Sequence, residues 1–538
     1  MTYGELLGLD TRFRGKVRHR IHRGREMNWT SGYVSEIDYT YGYYGELNPS
    51  KLRLACLSAN VAPPSADPLR YLELGYGQGM SINIHAAAFR GEFWGTDFNP
   101  TQAAHARSLA EASGSGAILL DDSFAELAAR SDLPEFDFIG LHGIWSWISD
   151  DNRRTIVDII RRKLRVGGIV YNSYNCLPGW APAMPLRHLM TLHADLVGSD
   201  ETGMIGKVEG AVNFAKQVVD SGALYFRANP AVGERLKGIS GQNRNYLAHE
   251  YFNRDWAVMP FSDVARWLDD AKVSFVASAN LLDHVEAVNL TAEGRKLLAD
   301  IQHPILRQSV RDYFINQQFR RDVFVKGPRR ISQLSQMEAM QSQAFVLTSH
   351  PDEIPAKVKG ALGEATLQEA IYRPVIAVMA DENYAPKTVS QLSAHAKLKS
   401  LSFRQLLEVL TVLSGANHVH PAQQVAKESR QHCTALNRYI CERARDDGNI
   451  AYLASPVTGS GIPVDRVLQL FLLATQHGKK STAEQAAFAW ECISGQGQFL
   501  IKEGKQLQTP EENIAELKRR AVAFGEKRRP LLKALGIE

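Results

Sequence analysis

Through the first third of the chain, short runs of consecutive apolar or β-branched residues alternate with stretches whose apolar positions recur at helical spacing. The runs LRYLELG, GEFWGTDF, GAILLDD, FDFIGLHG and GGIVYNSYN read as five strands, with SINIHAAAFR, PTQAAHARSLAEA and RRTIVDIIRRKL between them as helices. Strands alternating with helices predict a parallel, doubly wound α/β sheet. Strands apolar at successive positions predict that helices cover both of its faces. This zone ends near residue 190.

From about 190 to 330 the pattern turns more helical. Within it, HEYFNRDWAVMPFSDVARWLDDAKVSFVASANL reads as strand, helix, strand, a unit that completes the sheet, with helices around residues 185–245 inserted as a lid. Beyond about 335, KTVSQLSAHAKLKSLSFRQLLEVLTVLSGANHVHPA reads as a short helix, a turn and a longer amphipathic helix ending near Gly415. VDRVLQLFLLATQHG sets Val464, Val467, Leu468, Phe471 and Leu472 on one side and stops at Gly478. These helices predict a helix-turn-helix or winged-helix module. The expected division is residues 1–60, a basic and tyrosine-rich lid segment; 61–190, the sheet core; 191–334, a helical middle domain completing the sheet; and 335–538, a helical, winged-helix-like part.

Composition narrows the classes without choosing among them. A chain of 538 residues is too long for one core. With 44% hydrophobic and 22% charged residues it is ordinary globular material. The net charge of +4 does not by itself argue for a nucleic-acid partner. The stretch from Thr11 to Arg25 holds no acid and many cations, as a solvated basic arm or a contact for an anionic partner would. The five cysteines, at 56, 176, 433, 441 and 492, form no C-x-x-C pair, which predicts reduced thiols rather than a disulfide framework or zinc site. MTYGELLGLDTRFRG lacks the apolar core of a signal peptide, and no run is long enough to span a membrane. A soluble, cytoplasmic protein without metal or membrane insertion is expected.

The turn after the first strand, in RYLELGYGQGMSIN, carries the chemistry. A phosphate loop needs Gly-Lys-Ser/Thr at the helix start, where GQGMS stands instead. A dinucleotide fingerprint wants a small residue at position 80, where Met80 would obstruct close helix–strand packing. What remains is E-x-G-x-G-x-G: Glu73, Gly75, Gly77 and Gly79. This pattern resembles motif I of the class I methyltransferases that use S-adenosylmethionine (SAM). Glycines remove the Cβ atoms that would block approach to an amino-acid tail and a ribose. An acid at the strand end suits the ammonium of that tail, and free N–H groups at the helix start suit its carboxylate. About twenty residues on, Asp97 in GTDFNP sits where an acid grips ribose hydroxyls, with Phe98 beside it; its alternative is a helix cap. At the third strand's end, Asp122 and Ser123 are placed to meet the adenine amino group through a carboxylate and a backbone N–H, or to cap the next helix.

Three further segments, YTYGYYGELNPSKL, FDFIGLHGIWSWISD and YNSYNCLPGW, with NYLAHEYF, MPFSDVARWL, ASPVTGSGIPV and LLKALGIE, resemble bacterial protein-lysine methyltransferases that carry a methyltransferase regulatory domain. Members of that group include enzymes acting on lysines of rickettsial outer-membrane proteins. The resemblance implies a Rossmann-like class I core, a helical middle segment, a winged-helix-like tail and SAM as cofactor. It also implies a protein substrate, a surface or outer-membrane protein met before export among them. One departure is Tyr76, where the group usually has Cys, inside the SAM-binding turn.

Lysine must lose its proton before attacking a methyl group, and aromatic rings hold cations without binding them tightly. The resemblance puts Tyr41, Tyr44, Trp145 and Tyr174 around the reaction centre, with Tyr39, Tyr43, Trp147, Tyr171 and Trp180 as further rings. His142 is the expected polar group beside both cofactor and acceptor, orienting the amine or relaying its proton. His249 and Glu250 belong either to the acceptor side or to a hydrogen bond between lid and sheet. Three rivals compete with the lysine reading. A methyltransferase of small molecules or glycans shares the same core. One acting on nucleic acid is opposed by LHGIWSW, which replaces the Asn/Asp-Pro-Pro-aromatic signature of base-methylating enzymes. A non-catalytic SAM sensor leaves the aromatic segments unexplained. The few cations of HAKLKSLSFRQ point the tail toward substrate docking or pairing of two copies rather than toward DNA.

Overall fold

The computed structural model describes residues 41–242 and 244–538. The basic stretch Thr11–Arg25 and Tyr39 lie outside the described residues. Seven strands form the main sheet: β1 Leu69–Leu74, β2 Gly91–Thr96, β3 Ile118–Leu120, β4 Phe136–Leu141, β5 Leu164–Asn175, β6 Val273–Ser278 and β7 Phe319–Lys326. Their order is β3-β2-β1-β4-β5-β7-β6, and only β7 runs against its neighbours. β1 pairs with β2 in parallel from Leu69↔Gly91 to Leu74↔Thr96, so the ends of β1 and β2 open side by side.

The five strands expected from consecutive apolar runs are present. The middle zone differs from its reading. HEYF closes the helix Arg244–Tyr251 and is no strand, and the missing partner of the sheet is β7, from FRRDVFVK. Its central charges belong to a buried cluster. Arg320, 4% exposed, reaches Asp312 at 2.5 Å and Asp322 at 2.8 Å, and lies 4.3 Å over the ring of Phe261.

Helices cover both faces. α1 (Pro49–Ser58), α2 (Met80–Ala88) and α3 (Pro100–Ser113) lie on one side, with α4 (Phe124–Ala129) and α5 (Asp150–Lys163) on the other. α5 shows why such a segment becomes a helix. Ser149 caps its first turn, acids follow, Arg161, Arg162 and Lys163 close it, and Ile156, Val157, Ile159 and Ile160 face the sheet. After β5 the chain leaves the sheet as α6 (Met184–Leu196), α7 (Gly203–Asp220), α8 (Leu224–Ala228), α9 (Pro230–Ser240) and α10 (Arg244–Tyr251), which bury a core of their own. It returns through α11 (Phe261–Asp269) to β6, then passes α12 (Ala292–Asp300) and α13 (Pro304–Phe314) before β7.

The remaining chain is largely helical, with the expected pair Val389–Ala394 and Phe403–Gly415 next to a three-stranded antiparallel sheet of Ala344–Leu347, Lys387–Thr388 and Val419–Ala422. This half shares one continuous core with the α1–α3 face. The hairpin of Tyr452–Ser455 and Ser460–Pro463 lies against α2 so closely that a Cβ at Gly459 would stand 2.3 Å from Phe89. Asn48, at the head of α1, donates from its amide to the Gly459 carbonyl and to Ser460 Oγ, both at 2.8 Å.

Candidate active site

Between β1 and α2 the chain must turn sharply while staying close to its neighbours. Gly75, Gly77 and Gly79 all adopt positive φ, +72°, +57° and +76°. A Cβ at Gly75 would stand 2.3 Å from Ile144 Cδ1, and one at Gly79 2.4 Å from Ala106 Cβ. Space excludes a side chain as firmly as conformation does. At the end of β2, Asp97 steadies this turn. Its Oδ2 accepts the Gly77 N–H at 2.8 Å and its Oδ1 the Asn99 N–H at 3.1 Å. With its amide nitrogen turned toward Asp97, Gln102 adds a third donor at 3.1 Å.

These elements wall a cleft of about 1380 Å³, open mouth included, beyond the carboxyl ends of β1–β4. Glu73, Asp97, Asp122, Glu250 and Asp255 line it, with no lysine or arginine among the described residues. Asp122 is paired with Arg130 and Asp255 with Arg254. The other three carboxylates make no ion pair among the described residues. Burial, with Asp97 nearby, pushes Glu73 up to about 8, against the lowering effect of a hydrogen bond from the Tyr71 hydroxyl. Burial likewise lifts Asp97 to about 6 and Glu250 to about 7. Buried carboxyls that lack a cation are arranged to receive one, and the donor set fits the sulfonium and ammonium of SAM.

A proton follows from this. Cation binding favours the ionised carboxylate, so Glu73 releases its proton as SAM enters. SAM affinity should therefore rise with pH, about tenfold per unit, up to about 8, and level off above. Calorimetry in buffers of different ionisation heat would measure the released protons directly.

The adenine end departs from the sequence reading in one respect. Asp122, Ser123 and Phe98 line the cleft as expected. The Ser123 backbone N–H, however, donates to Glu126 at 2.7 Å within a capping box, so it is committed to the start of α4. Phe124, missed by sequence reasoning although it adjoins the Asp-Ser pair, adds an aromatic wall. Tyr76 lines the cleft and is anchored by its hydroxyl on the Leu120 carbonyl at 2.6 Å. Gly95 makes room for its ring, since a Cβ there would approach it to 2.7 Å.

At the opposite end, His142 is sandwiched. Tyr44 stacks on it at 3.9 Å, Tyr171 lies nearly parallel at 5.9 Å, and Phe319 meets it edge-on at 6.1 Å. Burial drives His142 down to about 4, so the ring is neutral at physiological pH. The Gly143 N–H donates to Ser173 Oγ at 2.8 Å, Ser173 hydrogen-bonds Tyr171, and Tyr171 Oη lies 2.8 Å from His142 Nδ1. The neutral ring, held through Nδ1 by the Tyr171 hydroxyl, presents a flat surface. Trp147, His249, Glu250 and Asn253 line the cleft as well.

Three of the four rings expected around the reaction centre lie elsewhere, as do Tyr43, edge-on to His85, and Trp180, in the core of α6–α10. Trp145 is fully buried against Trp267, because the short turn Trp145–Trp147 sends its first tryptophan into the core and its third toward the cleft. Tyr174, 1% exposed, donates its hydroxyl to Asp322 at 2.7 Å. Strand alternation puts it on the opposite sheet face from Tyr171. Tyr41 packs edge-on to His105 at 4.9 Å and does not line the cleft. Tyr174→Phe should accordingly lower unfolding free energy by about 1–2 kcal/mol in urea titrations and leave SAM affinity unchanged.

Comparison with known proteins follows the same division. A methyltransferase-domain family matches residues 72–168, and a family described as "predicted methyltransferase regulatory domain" matches residues 243–326. The chain is 41% identical over 516 residues to the uncharacterized protein sll1526 of Synechocystis sp., covering 95% of this chain and 100% of that one. The uncharacterized protein RP789 of Rickettsia prowazekii is 24% identical over 310 residues, covering 55% of this chain and 53% of its own. Among solved structures, PKMT2 from Rickettsia typhi in complex with AdoHcy aligns with a TM-score of 0.67 at 17% identity, over 93% of this chain and 100% of that one. At that identity the likeness is one of fold. Among the described residues no helix is long and apolar enough to cross a membrane.

Proposed function

Because this chain belongs to the family of SAM-dependent class I methyltransferases that carry a methyltransferase regulatory domain, we propose that it N-methylates lysine side chains of a protein substrate. The observation that carries this reading is the lining of the cleft: five carboxyl groups, two of them paired with arginine, and among the described residues no lysine or arginine. Such a wall attracts an ammonium and repels the phosphates of a nucleic acid. The rickettsial structure of like fold is named as PKMT2, and its likeness supports a protein acceptor.

SAM, when bound, supplies an electrophilic methyl group for in-line displacement. The chain's own residues position the acceptor and deprotonate it. The Tyr44 and Trp147 rings offer a surface for the amine, and the neutral His142 ring stacked on Tyr44 fixes that surface in place. Glu250, held near neutrality by burial, takes the proton that the ammonium must lose. Glu250→Gln should lower kcat about 100-fold or more at neutral pH with little change in SAM affinity. Incubation of the protein with labelled SAM and fractionated lysate tests the acceptor. Label released by protease and resistant to nuclease is expected; label confined to nucleic acid or small metabolites would overturn the reading.

A further inference from the structure

A second depression, about 1240 Å³ with its mouth, lies between β6, β7, α12 and α13. It is the electrostatic opposite of the cleft. Arg295, Arg307, Arg311, Arg320 and Arg321 line it. Two of these are spent internally, Arg320 on Asp312 and Asp322, and Arg321 on Glu46 at 3.1 Å. Among the described residues the other three have no carboxylate within 4.0 Å. Arg307 gives its Nε to the Ile301 carbonyl, Arg311 gives one nitrogen to the Asp283 carbonyl, both at 3.1 Å, and the exposed Arg295 makes no hydrogen bond among the described residues. Of the acids in the same wall, Asp322 is paired with Arg320, which leaves Asp283, hydrogen-bonded by Ser278 and Asn280, and Glu286 against three guanidinium groups.

Arg321, in the wall of the second depression, lies on the side toward His142. Its guanidinium lies 5.1 Å over the Phe319 ring, which meets His142 edge-on. Its ion-pair partner Glu46 stands two residues from Tyr44, the ring stacked on His142. A chain that places a lysine at Tyr44 and His142 reaches the arginines by crossing Phe319 and the Glu46–Arg321 pair. Guanidinium groups pair with carboxylates in a fixed fork geometry, which suits Asp and Glu side chains. A nucleic acid would carry phosphates along its whole length, including across the acidic cleft.

We propose that this groove binds an acidic stretch of the protein substrate, so that the enzyme selects lysines with Asp or Glu nearby in sequence. The inference rests on the lysine reading above and adds its sequence context: an acidic cleft for the ammonium and a basic groove for the flank fix both register and direction.

The test uses the full chain, S-adenosylhomocysteine, and fluorescent peptides with one central lysine flanked by Asp and Glu or by Asn and Gln. Fluorescence anisotropy should show the acidic peptide binding about tenfold or more tightly, with the advantage shrinking as salt rises. Arg307→Gln should remove most of it. Arg295→Gln, at an exposed site without hydrogen bonds, should reduce it in a protein whose fold is undisturbed. Equal affinity for the two peptides, or a preference that survives both substitutions, would overturn the proposal. So would single-stranded RNA displacing the acidic peptide at equal charge. Methyl transfer is scored separately. Tight acidic-peptide binding without transfer upholds the groove and removes the lysine reading, whereas transfer without flank preference does the reverse.

Discussion

Replacing Asp97 by alanine will weaken SAM binding about a hundredfold or more and leave the unfolding transition nearly where it was. Asp97 ends β2 only 8% exposed and lines the cleft. It also orders the glycine turn through the Gly77 N–H. A carboxylate bridging two ribose hydroxyls makes charge-assisted bonds, each worth about 1.5–3 kcal/mol, which sets the size of the loss. Stability changes little because two effects oppose each other. The variant strands the Gly77 and Asn99 amides, but it also relieves a carboxyl whose ionised form burial disfavours. Asp97→Asn keeps an acceptor for one amide without the charge and should fall between the two. Isothermal calorimetry with thermal unfolding checks both halves. Unaltered affinity in Asp97→Ala would remove this residue from the site.

The largest stability effect is expected at Arg320. Truncation to alanine strands Asp312 and Asp322 in the core, each 2% exposed at the side chain, and should lower unfolding free energy by about 3–5 kcal/mol. Urea unfolding should report this loss. Adding Asp312→Leu and Asp322→Leu to the same variant should recover part of it, since no buried charge then lacks a partner. A loss below about 1 kcal/mol in the single variant would mean that the cluster is solvated in a way its burial denies.

The same cluster explains where sequence reasoning stopped short. β1 to β5 were legible because parallel strands covered on both faces must be apolar at successive positions. FRRDVFVK breaks that rule with Arg320 and Asp322, both buried, each neutralising the other. Charge that is cancelled inside the core looks, along the chain, like charge in water. HEYFNRDWAVMP erred the other way, its aromatic residues reading as strand, whereas Tyr251 ends α10 and the chain runs on to α11 without a strand. In the site, the residues tied to the glycine turn were legible, because spacing along one β–α–β unit fixes their relation in space. Rings were not. Trp145 and Trp147 differ by a short helical turn, and Tyr171 and Tyr174 by strand parity, so neighbours in sequence face opposite layers. Glu46 and Arg321 were hidden for another reason: they meet only because β7 lies beside β5.

The hairpin that nestles on α2 gives the chain a property beyond its chemistry. Phe89 and Ile84 on one side and Leu453 and Ile462 on the other belong to a single oily interior. A fragment cut near residue 334 would bare that surface, stick to its own kind, and leave Asn48 without the loop that it grips. Methyl transfer and the trailing half are thus manufactured as one unit, and natural shuffling could not trade one away without rebuilding the other.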